Sequence, residues 1–85
     1  MSLKALAPIA PVHLKAILEL HGYSVIAEDS YNWVFARSHD DVPLIVPMLG
    51  DMVSLEVLMD IVFTKAGMDL RTYLALRGKA HYPVN

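Results

Sequence analysis

The sequence predicts an α+β domain: a two-layer fold with a three-stranded antiparallel sheet and helices on one face, in the order α-β-β-β-α plus a short C-terminal helix. Three observations carry this. Leu14, Ile17, Leu18 and His21 recur at i, i+3, i+4 and i+7, the spacing of one helical face. Between Tyr23 and Val46 the pattern changes to short runs rich in β-branched and aromatic residues, broken by polar turns. Beyond Ser54 the helical spacing returns with Leu58, Met59, Val62 and Ala66. Two helices laid on one side of a sheet are the natural two-layer solution for such an order.

Residues 1–10 carry Pro8, adjoin Pro11 and show no sustained period, so they read as an extended arm. Pro11 suits the first turn of the first helix, where its missing N–H costs nothing. His13, Lys15 and Glu19 fall off the apolar stripe, and Gly22 stands where a left-handed C-cap is wanted. The first strand follows, with Tyr23, Val25 and Ala27 alternating against Ser24, Ile26 and Glu28 up to the turn signal Asp29-Ser30. The second strand, about Tyr31 to Arg37, holds the only Trp and one of the two Phe residues, and it reads as the centre of the sheet. Ser38-His39-Asp40-Asp41 is a polar turn into a third strand, Val42 to Val46. Pro43 and Pro47 mark that strand as an edge, because proline cannot donate to a ladder. Short connections between the three imply antiparallel hairpins.

Met48 to Val53 forms the crossing loop. Ser54 is the expected N-cap of a second helix, Leu55 to Ala66, with Gly67 as its terminator. Val57 and Ile61 widen its apolar side, so this helix is expected to be covered on more than one flank. Asp69 caps a short third helix, Leu70 to Arg77, closed by Gly78, and residues 79–85 form a tail. Residues 1–85 therefore read as a single domain. The second strand is apolar on both faces, Tyr31, Trp33 and Phe35 on one and Val34 and Ala36 on the other, whereas one layer of helices covers only one. The arm, the third helix or a second copy of the chain should cover the remaining face.

Composition limits the function. A chain of 85 residues buries only a little over ~60% of its unfolded surface and is marginal. It is 55% hydrophobic with a mean hydropathy of +0.42, which leaves apolar surface for a partner. Cysteine is absent, which excludes disulfides and thiolate metal sites. No run approaches the ~20 apolar residues of a membrane span, and the N-terminal apolar run is too short and Pro-broken for a signal peptide, so no membrane is involved and a cytoplasmic location is expected. The net charge is −2, and the seven Lys and Arg residues are scattered, which weighs against a phosphate-gripping face.

A first helix ending at Gly22-Tyr23, a strand ending in Phe35, then Val46-Pro47, then a helix running into Ala66-Gly67 resembles the HicA (YcfA-like) toxins over roughly Val12 to Tyr73. The resemblance implies a double-stranded-RNA-binding-domain-like fold and a bacterial toxin–antitoxin setting in which messenger RNA is cut. In that family a Gly-Ser-His triplet opens the second strand three residues ahead of the Phe and its His is catalytic. Here the triplet is Ser30-Tyr31-Asn32, so Asn32 stands at the catalytic position. An amide has no side-chain pKa near neutrality and cannot replace imidazole as general acid or base.

The candidate binding residues are accordingly Ser30, Tyr31, Asn32 and Trp33, with no catalytic residue, metal or cofactor assigned. Asn32 at a strand entrance more often bonds the local backbone than a ligand. The adjacent carboxylates Glu28 and Asp29 could raise one another's pKa and supply a base. Tyr31, Trp33 and Phe35 could stack bases, although core packing is the commoner use of such a row. His39-Asp40-Asp41 has metal-ligand residue types but reads as a solvated turn. His13 and His21 are too far apart on the first helix to share a ligand, and His21 suits the dipole at its C-terminus. His81 lies in the tail. Arg37, Arg71, Arg77 and Lys79 are the only material for a basic patch. The expected function is a HicA-like, non-catalytic protein-interaction module, a homodimer or the partner of another small protein. The alternative is an RNA-binding or mRNA-cleaving toxin of a toxin–antitoxin pair.

Overall fold

Helix α1, Pro11–Leu20, begins at its proline and ends where Gly22, at φ +95°, turns the chain back toward the sheet. Leu14, Ile17 and Leu18 are its buried residues, as their spacing requires. These features come from a computed structural model, which describes residues 7–38 and 42–80. The turn His39-Asp40-Asp41, with Met1 to Leu6 and His81 to Asn85, lies outside the described residues.

Strands β1 (Ser24–Glu28), β2 (Asn32–Ala36) and β3 (Leu44–Pro47) form an antiparallel sheet in the order β1-β2-β3. The aromatic strand is therefore central and the proline-flanked strand is an edge. On one face Val25, Phe35 and Leu44 lie opposite one another, followed by Glu28, Trp33 and Val46. Phe35, Leu44 and Val46 from this row are buried in the core cluster with Leu14, Ile17 and Leu18 of α1. The opposite face is formed by Ala27, Val34 and Ile45, with Ser24 beside Ala36 and Asn32 beside Pro47. A bulge between Val25 and Ala27 places Ile26 outside the pairing.

Helix α2, Leu55–Met59, starts at Ser54, whose hydroxyl accepts the Val57 N–H. It runs without a break into a π-helical segment, Asp60–Lys65. The wider turn closes with the Ala66 N–H on the Ile61 carbonyl and brings Lys65 within 3.1 Å of Asp60, five residues earlier. It also lets the neighbours Ile61 and Val62 both reach the core. The expectation that this helix is covered on more than one flank is not met. Leu58, Ile61, Val62 and Ala66 are buried, whereas Leu55, Val57 and Met59 are exposed, because among the described residues the sheet meets this helix on one side, through β3.

Helix α3, Leu70–Lys79, is capped by the Asp69 carboxylate and extends past the expected stop at Gly78. Gly78 has no positive φ, and the helix ends at Ala80, whose N–H bonds the Leu76 carbonyl while its side chain is buried. Helix α3 packs on α1, and Tyr73, its one fully buried residue, meets Phe63 edge to face at 5.5 Å. The end of the arm is part of the fold: Ile9 and Val53 exchange backbone hydrogen bonds in an isolated bridge, and Ile9 is 1% exposed. Residues 7–10 of the arm and α3 therefore both join the helical layer, and among the described residues neither covers the outer face of the sheet. No helix of the described residues is long and apolar enough to cross a membrane.

Candidate functional site

The turn that opens β2 is organised by Asp29. Its Oδ1 accepts the backbone N–H of Tyr31 at 2.7 Å and of Asn32 at 2.8 Å, while its own N–H donates to the Asn32 carbonyl. The N–H of Tyr31, then that of Asn32, and the Asn32 amide hold the Asp29 carboxyl below the usual aspartate value. Donors that favour the anion have the opposite effect to the raised pKa a replacement base requires. The pairing of Glu28 with Asp29 as a base therefore gives way to a structural use of Asp29, which fastens the β1–β2 hairpin.

The four candidate residues do not converge. Ser30 and Tyr31 are exposed in the turn, Tyr31 at 66%. Asn32 and Trp33 lie on opposite faces of the sheet, Asn32 beside Pro47 on the outer face and Trp33 beside Val46 on the core face. Asn32 joins the turn through its backbone N–H, which donates to Asp29 Oδ1.

The aromatic row divides in the same way. Tyr31 is outside the ladder, while Trp33 meets Phe35 edge to face at 6.3 Å and is only partly exposed. Lys15 of α1 sits 5.8 Å above the Trp33 ring and also pairs with Glu19 at 3.5 Å. Core packing accounts for Trp33 and Phe35, with the Lys15 ammonium over the Trp33 ring, while Tyr31 stays in the exposed turn.

The remaining candidates are dispersed. The His13 ring Nε2 lies 3.3 Å from the Arg77 carbonyl, joining α1 to α3 in the tautomer that carries the proton there. His21 stands at the C-cap of α1 and stacks on Tyr23 at 6.2 Å, a contact that the dipole reading missed. The Arg37 guanidinium covers the other aromatic contact of that corner, 5.0 Å from the Tyr23 ring centre. Arg77 donates to the carbonyls of Ala7 and Pro8 and to the Tyr73 hydroxyl. Among the described residues no three His, Asp or Glu side chains are grouped as a metal site requires.

Two features were not found from the sequence. The first is a cleft of about 280 Å³ where the arm crosses the helical layer, lined by Pro8, Ile9, Ala10, His13, Asp51, Met52 and Arg77. Its only signal was the apolar pair Ile9-Ala10 held between two prolines. The second is the outer sheet face itself, whose need for a cover was legible while its location was not. Ser24, Ala27, Asn32, Val34, Ala36, Ile45 and Pro47 share this face; none carries a charge, and none belongs to the core cluster. Ile45 there is 60% exposed. No family model matches the chain, and neither the curated proteins nor the solved structures compared with it provide a match.

Proposed function

We propose that the chain is a HicA-like domain that acts as a non-catalytic protein-interaction module and that its outer sheet face is covered by a second copy of itself. The observation that carries this is the apolar face formed by Ala27, Val34, Ala36 and Ile45, which no element of the described residues covers. A flat face without Lys or Arg offers nothing to a phosphate backbone, whose binding rests on cationic contacts. Such a face does match an identical one, since two uncharged sheet faces stack about 10 Å apart and remove each other's apolar side chains from water. At the family's catalytic position, Asn32 serves the turn through its backbone N–H on Asp29, and its amide supplies no acid or base.

Sedimentation velocity over a concentration series tests the reading. The wild-type chain is expected to shift toward a dimer with rising concentration, and Ile45→Lys to stay monomeric with an unchanged circular dichroism spectrum. A wild-type chain that remains monomeric at every concentration and purifies without a partner refutes it. Incubation with messenger RNA tests the other class of function: cleavage abolished by Asn32→Ala would replace the module with a nuclease.

A further inference from the structure

We propose that the exposed flank of α2 is a second docking surface, fitted to a cationic amphipathic helix of a partner protein; the proposal rests on the interaction-module reading and names a partner chemistry for it. Leu55 and Met59 stand one helical turn apart on the same flank and are 36% and 43% exposed. Phe63 follows after a further turn, half-buried with its ring against Tyr73. Met52, 56% exposed, precedes them at the mouth of the cleft between the arm and α3. Unbranched methionines let such a stripe adapt to the ridges of an incoming helix, and Met is over-used at surfaces of this kind.

The charge around the stripe is one-sided. Residues 48–69 contain four acids, Asp51, Glu56, Asp60 and Asp69, and one base, Lys65. Lys65 is already paired with Asp60 at 3.1 Å, and Asp69 caps α3. Glu56 is exposed on the first turn of α2 and makes no ion pair among the described residues. An apolar stripe bordered by Glu56, with Asp51 beside Met52 at its start, is complementary to a helix with apolar residues at i, i+3 or i+4 and i+7 and with Lys or Arg beside them. An anionic helix meets like charge on the same border. A second copy of this chain does not supply the cationic face through α1, whose one lysine, Lys15, pairs with Glu19.

The test uses a fluorescein-labelled synthetic helix composed only of Leu and Lys, with its leucines on one face, titrated with the full chain and followed by anisotropy. The same helix with Glu in place of Lys is the control. The expected result is saturable binding of the Lys helix that weakens as salt rises, no binding of the Glu helix, and a loss of about tenfold or more for Met59→Lys and for Leu55→Lys. Glu56→Gln should weaken binding by a smaller factor, and Ile45→Lys, on the outer sheet face, should leave it unchanged. Absence of binding by the Lys helix overturns the proposal. So does binding that survives Met59→Lys and Leu55→Lys but is lost in Ile45→Lys, which moves the helix to the sheet face. Self-association is measured by sedimentation without the peptide, so failure of the α2 surface and failure of the module reading are read separately.

Discussion

Truncating Ile9 to Ala tests whether the arm is part of the core or lies loosely on it. Ile9 is 1% exposed, sits in the core cluster and is held by a two-way backbone bridge to Val53. Removing a buried Ile side chain down to Ala costs roughly 2–5 kcal/mol when the surroundings cannot close over the cavity. A domain of 85 residues has a total stability of about 4–13 kcal/mol, so the truncation removes a large share of it. At roughly 4–8 °C per kcal/mol, the expected fall in Tm is roughly 8–40 °C. Arg77 holds the same segment from the other side, through the carbonyls of Ala7 and Pro8. Arg77→Ala alone should cost about 1–3 kcal/mol, and the double variant less than the two single costs together, because either change releases one shared element. Thermal unfolding followed by circular dichroism measures all three. A drop below about 3 °C for Ile9→Ala, or strict additivity with Arg77→Ala, refutes the docked arm.

The hairpin and helix caps make stability depend on pH at both ends. Asp29 and Asp69 have lowered pKa values from backbone N–H donors, so their contribution is present above the ordinary value of 3.8 and is lost as pH falls through the folded values. Asp29→Asn and Asp69→Asn should therefore flatten the acid limb of a Tm-versus-pH curve; an unchanged limb sinks the assignment. Burial raises the Tyr73 pKa above its ordinary 10.0, against the opposing Arg77 guanidinium, so its contribution is present below pH 10 and is lost above it. Tyr73→Phe should reduce the alkaline loss of Tm. Gly67→Ala should cost about 1 kcal/mol, since Gly67 has φ +66° with open space around an added Cβ, and chemical denaturation would show no loss if the left-handed cap were dispensable. Asn32→His should fold as the wild type does, because Asn32 lies on the outer face next to an exposed turn. With Asp29 beside the new imidazole, messenger RNA cleavage is the readout: restored cutting shows that the rest of a nuclease site survives, and inactivity shows that the loss extends beyond this residue.

Most of the fold was legible because its signals are local. Pro11, Gly22, Ser54, Gly67 and Asp69 act through their own backbone geometry or one hydrogen bond, and all five stand where the sequence placed them. Pro43 and Pro47 likewise placed β3 at an edge. What escaped depends on distant contacts. An α-helical and a π-helical turn share nearly the same run of apolar residues, so the widening at Asp60–Lys65 is set by the need to bury Ile61 and Val62 together. Gly78 is the stop that the sequence predicts, yet burial of Ala80 carries α3 past it. The candidate binding residues are dispersed for a related reason. Ser30 to Trp33 are adjacent in sequence, but the pleat sends Asn32 and Trp33 to opposite faces. The face that matters for partners draws on all three strands and could not be read from any one of them.

The size of that face explains why one surface is insufficient for a tight complex. Three strands at ~4.8 Å spacing and five residues at ~3.3 Å each give a plane of roughly 14 by 16 Å, or on the order of 400 Å² of accessible surface even when doubled for side-chain relief. A standard stable interface buries about 800 Å² on each partner. Self-association through Ala27, Val34, Ala36 and Ile45 alone is therefore weak, and its dissociation should be fast and concentration-dependent in sedimentation. A strong complex has to engage a further surface. The α2 flank, with Leu55 and Met59 exposed and Glu56 unpaired among the described residues, is not covered by the same contact and differs from the sheet face in charge. An uncharged face that recognises its own copy and an acidic flank that recognises a cationic helix can be occupied together, each with its own salt dependence. If raising the salt weakens both kinds of association equally, the two surfaces are not physically distinct and this division fails.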